Sequence, residues 1–297
     1  MAVGLVKYTV EEALAFHENN MFGNGKVEVL SKVPCRNARD LTLAYTPGVA
    51  EPCKAIDKSP ELVHRYTSKD NLVAVVTDGT AVLGLGDIGP EAGMPVMEGK
   101  AVLFKMLAGV DAFPICLATK DTEKIIDICK CLAPTFGGIN LEDIAAPRCF
   151  VILSRLRKEL DIPVFHDDQH GTATVVLAGM YNALKLVGKK MNNIKVAVYG
   201  AGASGIACSQ AVMEAGSPNV ILVDSVGVIY KGRKENMNPE KELIAERSNP
   251  ERVKGTITDA MKGADVFLGL STGGKISKDD VKRMAKGSIV FAMQNPT

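Results

Sequence analysis

From residue 71 onward the chain alternates short β-like runs with segments of helical period, and this alternation constrains the fold more than any other feature. "NLVAVVT" (71–77) reads as a strand, "MPVMEGKAVLFKMLAG" (94–109) as a helix, "DAFPICLA" (111–118) as a strand and "DTEKIIDICKCLA" (121–133) as a helix. "GGINLEDI" (137–144), "APRCFVILSRLRKEL" (146–160) and the strand 162–166 repeat the unit, with Phe150, Leu153, Leu156 and Leu160 at helical spacing. "AVLGLG" (81–86) is also β-like. After the polar connector 188–194 a second series begins, in which "KVAVYG", "NVILVD", "DVFLGLS" and "SIVFAM" are strands separated by helix-like segments. Repeated βαβ units specify parallel sheets with helices on both faces. The expected class is therefore α/β, with two doubly wound parallel-sheet domains, residues 1–168 and 169–297, the second of Rossmann type. The first seventy or so residues have mixed helical character and serve as a cap on the first domain or as a dimer contact.

Two domains also suit a length of 297 residues. A net charge of +1 with interleaved signs, few aromatics and no Trp argue against nucleic acid or an anionic membrane as the main partner. The seven cysteines form no C-x-x-C pair, which points to reduced thiols rather than a disulfide framework or zinc. The start lacks the pattern of a signal peptide, and no uncharged run reaches the ~20 residues of a membrane span. These features predict a soluble, cytoplasmic chain.

"IPVFHDDQHG" (162–171) ends an apolar run on two adjacent aspartates. Parallel strands joined by a crossover helix have their carboxyl ends on one sheet edge, where open α/β sheets bind ligands. Glu142 and Asp143 end one such strand, and Asp167 and Asp168 the next. Like charges at close range are costly, and a divalent cation resolves them. Oxygen donors without cysteine select Mg²⁺ or Mn²⁺. Neighbours on a strand face opposite ways, so Glu142 and Asp143 can share an ion only where the strand stops, and Asp167 reads as a supporting residue beside Asp168. The competing assignment makes Asp143 and Asp168 helix N-caps. His166 and His170 flank the cluster and read as hydrogen-bonding neighbours rather than ligands.

"GAGASG" (200–205) follows a strand and opens a helix, and Asp224 ends the next strand. That context assigns a tight turn to Gly200, backbone approach to Gly202, close helix packing to Gly205 and a ribose contact to Asp224, with Ala203 and Ser204 in the same loop. "GLGDIG" (84–89) fits the same spacing without that context and reads as close backbone packing. Asp224 favours NAD, whereas Lys231, Arg233 and Lys234 offer a site for the NADP phosphate.

"LAYTPGVAEPC" (43–53), "VVTDGTAVLGLGDIGPEAGMPVMEGKAVLFK" (75–105), "GGINLEDIAAP" (137–147), "PVFHDDQHGTA" (163–173) and "VAVYGAGASG" (196–205) together resemble the malic enzyme family in its short bacterial form. The resemblance implies oxidative decarboxylation of malate to pyruvate and CO₂ with NAD or NADP and Mg²⁺ or Mn²⁺, by a homodimer or higher homo-oligomer. It implies Tyr45 as general acid, Lys100 as general base paired with Asp167, the metal ligands Glu142, Asp143 and Asp168, and Asn295 near substrate and nicotinamide. Without it, Tyr45 reads as a turn residue and Lys100 as a solvated lysine. A lysine near a cation has its pKa lowered toward working pH, as a base requires. Where larger eukaryotic forms carry an arginine before "LGLGD", this chain has Ala81-Val82-Leu83. Family members also continue beyond the position of Thr297, so the second sheet is expected to be incomplete at its C-terminal edge. The alternative function is a shortened paralogue or fragment that binds nucleotide, metal or a full-length subunit without turnover.

Overall fold

A computed structural model describes residues 8–18, 23–82 and 84–294. The alternation becomes two four-stranded sheets, parallel throughout, as the sequence predicts. In the first, β1 (Leu72–Thr77), β2 (Asp111–Cys116), β3 (Gly138–Leu141) and β4 (Val164–His166) run in the order β2-β1-β3-β4. In the second, β5 (Lys195–Tyr199), β6 (Asn219–Val223), β7 (Val266–Gly269) and β8 (Ile289–Ala292) run in the order β6-β5-β7-β8. Each order reverses direction beside its first strand, between β1 and β3 and between β5 and β7. A crevice opens at such a switch point, at the carboxyl ends of the strands.

Three short helices, α1 (Val10–Glu18), α2 (Ala38–Ala44) and α3 (Ala50–Lys58), precede the first sheet and bury none of their residues. After α4 (Val63–Tyr66), the crossovers are α5 (Pro90–Ala108), α6 (Thr122–Leu132) and α7 (Arg148–Glu159). Helix α6 starts where the Asp121 side chain accepts from the Lys124 amide, an N-cap that offsets an otherwise unpaired donor. At its other end the buried Lys69 ammonium donates to the carbonyls of Ala133, Pro134 and Phe136 at 2.5–3.1 Å. Helix α8 (Thr172–Val187) leads to the second sheet, whose helices are α9 (Ala203–Glu214), α10 (Pro239–Arg247), α11 (Ile257–Met261) and α12 (Lys278–Lys282). Val176, Met180 and Leu184 of α8 belong to one apolar core with Val76 and Leu141 of the first sheet and Val196 and Leu268 of the second. Burial of that shared face is the main stabilising term.

Among the described residues of the β-like run 81–86, no strand forms. Only a bridge between Val82 and Gly86 forms, because Gly84 and Gly86 adopt φ of 79° and 80° and reverse the chain. A Cβ on Gly79 would lie 2.1 Å from the Gly89 carbonyl oxygen, which accounts for the close backbone packing expected of this loop.

Candidate active site

β3 ends at Leu141, one residue before the acidic pair, and Asp143 takes the left-handed φ of 53°. A non-glycine residue there is strained by roughly 1 kcal/mol or more. The kink breaks the strand's alternation, so Glu142 and Asp143 turn to the same side. One strand along, His166 ends β4 and residues Asp167–Gly171 form a single π-turn before α8. One oxygen each from Glu142, Asp143 and Asp168 then lies within 4.8 Å of the others. Neither aspartate caps a helix: the N-cap of α7 is Pro147 and that of α8 is Gly171, so the competing assignment fails.

Hydrogen bonds hold the cluster. The Asp143 amide donates to Asp168 Oδ2 at 2.9 Å, and Asn140 Nδ2 donates to Glu142 Oε2 at 2.8 Å. Ala145 N–H donates to Thr80 Oγ1 at 2.9 Å. Arg148, at the start of α7, pairs with the buried Asp78 at 2.9 Å and donates to Thr80 Oγ1 at 3.1 Å. Sequence reasoning missed this Asp78–Thr80–Arg148 brace, although "TDGT" at the end of β1 lies on the same sheet edge.

Lys100 projects from α5 into the cluster, with Nζ 2.7 Å from Asp167 Oδ2 and 3.2 Å from Glu142 Oε1. Burial pushes the Glu142 carboxyl up to about 8, reinforced by the charges of Asp168 and Asp167 and opposed by Lys100. Burial also raises the Asp168 carboxyl. For Lys100, burial pulls the ammonium down, but Glu142 and Asp167 outweigh it and the net shift is upward. The lowering expected of Lys100 is tied to a neighbouring cation, whereas the upward shift here comes from the two carboxylates that face the ammonium. Three clustered hard oxygen donors, one of them in a site too dry to carry its charge alone, fit a hard divalent ion.

Gly171 closes the π-turn directly over Asp167. A Cβ added there would lie 2.1 Å from Asp167 Oδ1, so the carboxylate keeps its position only beside a glycine. Because the obstructed group is a side chain, Gly171→Ala is expected to swing Asp167 off Lys100 without unfolding the chain. The 2.7 Å Lys100–Asp167 contact should be lost with the melting temperature nearly unchanged, read by crystallography of the variant and calorimetry.

At the second switch point the glycines occupy the expected positions. Gly200 has φ 116°, and a Cβ on it would lie 2.8 Å from the Leu270 carbonyl. A Cβ on Gly205 would overlap the Gly200 oxygen at 1.7 Å, whereas Gly202 faces open space at the N-terminus of α9, beside Ala203 and Ser204. Asp224 follows β6, as expected, but its carboxylate is buried and engaged. Arg233 grips both its oxygens, Lys241 Nζ donates at 2.7 Å and Asn236 Nδ2 at 3.1 Å. Burial alone would raise Asp224, yet Arg233 and Lys241 hold it well below the usual carboxylate range. Sequence reasoning did not single out Lys241, which lies 17 residues downstream on α10.

The structure does not bring Tyr45 to the cluster. It closes α2 with 68% of its surface exposed, and among the described residues no hydrogen bond joins it to Lys100 or the carboxylates. Asn295 lies outside the described residues.

Comparison with known proteins agrees with this geometry. Residues 24–157 match the malic enzyme N-terminal domain, and residues 169–297 the malic enzyme NAD binding domain. The chain is 58% identical over 286 residues to the bifunctional malic/malolactic enzyme of Bacillus subtilis, covering 96% of this chain and 69% of that protein. It is 59% identical over 272 residues to the NAD-dependent malic enzyme of Geobacillus stearothermophilus, covering 92% and 57%. The crystal structure of malic enzyme from Pyrococcus horikoshii superposes with a TM-score of 0.92 at 53% identity, covering 97% of this chain and 68% of that one. The chain thus spans between 57% and 69% of the length of these curated relatives. Two parallel sheets with an acidic cluster at one switch point and a glycine turn at the other, matched by both family domains in order, place this chain in the malic enzyme family.

Proposed function

We propose that the protein to which this chain belongs oxidatively decarboxylates malate to pyruvate and CO₂ with NAD(P), using a divalent ion held by Glu142, Asp143 and Asp168. The observation that carries the proposal is the juxtaposition of Lys100, a carboxylate trio of which Glu142 and Asp143 are buried and, on the same fold, a glycine turn with open space beside Gly202. When bound, Mg²⁺ or Mn²⁺ supplies positive charge that offsets the carboxylates and polarises a substrate oxygen, and the nicotinamide supplies a two-electron acceptor.

The chain's own groups do the rest. Neutral Lys100 takes the proton of the C2 hydroxyl at Nζ, while Asp167 orients the amine at 2.7 Å and stabilises the ammonium that results. The backbone at Gly202, Ala203 and Ser204 receives the pyrophosphate at the N-terminus of α9, where unpaired amides favour anions. Tyr45 returns a proton to C3 of the product enolate. In this reading residues 1–168 carry substrate and metal and residues 169–297 the nucleotide, and Asn295 is assigned to the substrate and nicotinamide by family resemblance alone.

The exposed faces of α1–α3, none of which buries a residue, favour a homodimer or higher homo-oligomer assembled over this surface, an event that would bring Tyr45 to an active site. Seven cysteines without a disulfide favour the cytoplasm, and no described helix is long and apolar enough to cross a membrane. NAD is the preferred nucleotide and NADP is accepted, because Arg233 and Lys241 offset the Asp224 charge that would otherwise repel a 2′-phosphate. Lys241→Met should therefore lower kcat/KM for NADP about tenfold relative to NAD, measured with both nucleotides at fixed malate.

The test is an assay of malate with Mn²⁺ and each nucleotide, following reduced nucleotide and trapped CO₂ in equal amounts. Reduced nucleotide without CO₂ would indicate a simple hydroxy-acid dehydrogenase. Tight nucleotide binding with neither product would favour the inactive alternative.

A further inference from the structure

The turn after β1 and the loop after β3 meet at one buried hydroxyl, that of Thr80. Three groups reach its Oγ1: the Ala145 amide at 2.9 Å, Arg148 Nη2 at 3.1 Å and Asp78 Oδ1 at 2.6 Å. A backbone amide and a guanidinium can only donate, so the hydroxyl accepts from both and its single proton goes to the carboxylate. Every bonding direction of the hydroxyl is then used. The next residue adds a second tie, since the Ala81 amide donates to the Asp143 carbonyl at 2.9 Å. Thr80 and Ala81 thus grip the loop on both sides of Ile144, directly after Asp143 with its left-handed φ of 53°. A non-glycine residue keeps that conformation only where its surroundings over-determine it. Arg148 completes the arrangement by pairing with the buried Asp78 at 2.9 Å, which fastens the first residue of α7 to the same turn.

We propose that Thr80 is a positioning residue for Asp143: its hydroxyl anchors the loop 143–145 in the kink that brings Asp143 to Glu142 and Asp168. This rests on the proposed metal site and adds the group that holds one of its ligands in a strained conformation. Without the hydroxyl, the part-buried Ala145 amide loses its acceptor and the kink loses one of its two ties. Relaxation toward extended backbone restores strand alternation, which turns Asp143 away from Glu142. Partners that orient a ligating side chain typically contribute 10–100-fold to metal affinity.

The experiment compares two variants of the whole protein: Thr80→Val, which keeps the shape and removes the hydroxyl, and Thr80→Ser, which keeps the hydroxyl. Mn²⁺ titration by electron paramagnetic resonance, without substrate, should show affinity at least tenfold lower in Thr80→Val and within about twofold of the unmodified protein in Thr80→Ser. Amide hydrogen exchange should be faster at Ala145 in Thr80→Val and unchanged in β5 to β8. Thr80→Ala, which places no methyl against Asp78 and Arg148, serves the same comparison if Thr80→Val does not fold. Unchanged Mn²⁺ affinity in the folded variant without the hydroxyl, even at a lower melting temperature, alongside loss in Asp143→Asn, would overturn the role of Thr80 and leave the metal site standing. Equal loss in Thr80→Ser would overturn it too, because the hydroxyl would not be the cause. No Mn²⁺ binding by the unmodified protein would instead remove the metal site, and this inference with it.

Discussion

Replacing Lys100 with alanine is expected to lower malate turnover by about 10³-fold while leaving Mn²⁺ binding intact or tighter. The two effects part because Lys100 is proposed to move a proton and to bind no metal. Its ammonium sits 3.2 Å from Glu142 Oε1, so its positive charge opposes the approach of a cation to the same carboxyl group. Removing it takes away the base and the competitor together. Steady-state kinetics beside Mn²⁺ titration reads both quantities on one preparation. Equal loss of turnover and of Mn²⁺ affinity would mean that Lys100 serves only to hold the carboxylates apart.

The second large effect concerns Glu142. Its carboxyl, pushed up to about 8 from 4.5 by burial, stays protonated at neutral pH until a cation displaces the proton. Mn²⁺ binding should therefore release close to one proton below pH 8, with affinity rising about tenfold per pH unit toward pH 8 and flattening above it. The same shift fixes the direction of metal-free stability. Between about pH 4.5 and 8 the folded protein retains a proton that the unfolded chain has lost, so stability falls as pH rises across that window. Mn²⁺ removes the penalty, and the rise in melting temperature that it produces should grow with pH. Glu142→Gln should abolish the proton release and weaken Mn²⁺ at least 10²-fold. Calorimetric titration in buffers of different ionisation enthalpy measures the protons directly.

How much of this could be read from the chain depends on which physical rule each residue obeys. The sheets were legible because apolar runs of β1 and β5 type, buried on both faces, leave the chain few alternatives once helices separate them. Parallel connection then placed Glu142, Asp143 and Asp168 on one edge from sequence order alone. The local turns that unite them were hidden. Nothing in "NLEDI" announces the φ of 53° at Asp143, a strain that the surrounding loop holds in place, through the Ala81 amide on the Asp143 carbonyl. Nor does "HDDQHG" announce a π-turn, which packs against α8 and α9 and is tied to the loop after β3 by the Asp143 amide on Asp168. Gly171 was the available signal, a glycine at helical φ with no turn to make.

The misassigned strand at 81–86 has a similar origin. Its apolar residues alternate with glycines whose positive φ outweighs hydrophobic pattern. Asp224 was placed correctly at the end of β6, but its partners come from a loop and α10, up to 17 residues away, and such pairing has no periodic signature. Tyr45 was singled out by family resemblance alone. Its exposed position shows why spacing could not place it: no packing within the described chain fixes where its side chain goes.

Everything proposed for catalysis depends on Glu142, Asp143 and Asp168 gathering one hard cation beside Lys100. Anomalous diffraction at the manganese edge from crystals grown with Mn²⁺ tests this most directly. A single strong peak within coordinating distance of one oxygen from each of the three carboxylates is the predicted result. A peak elsewhere, or none while the carboxylates keep their metal-free hydrogen bonds, would contradict it.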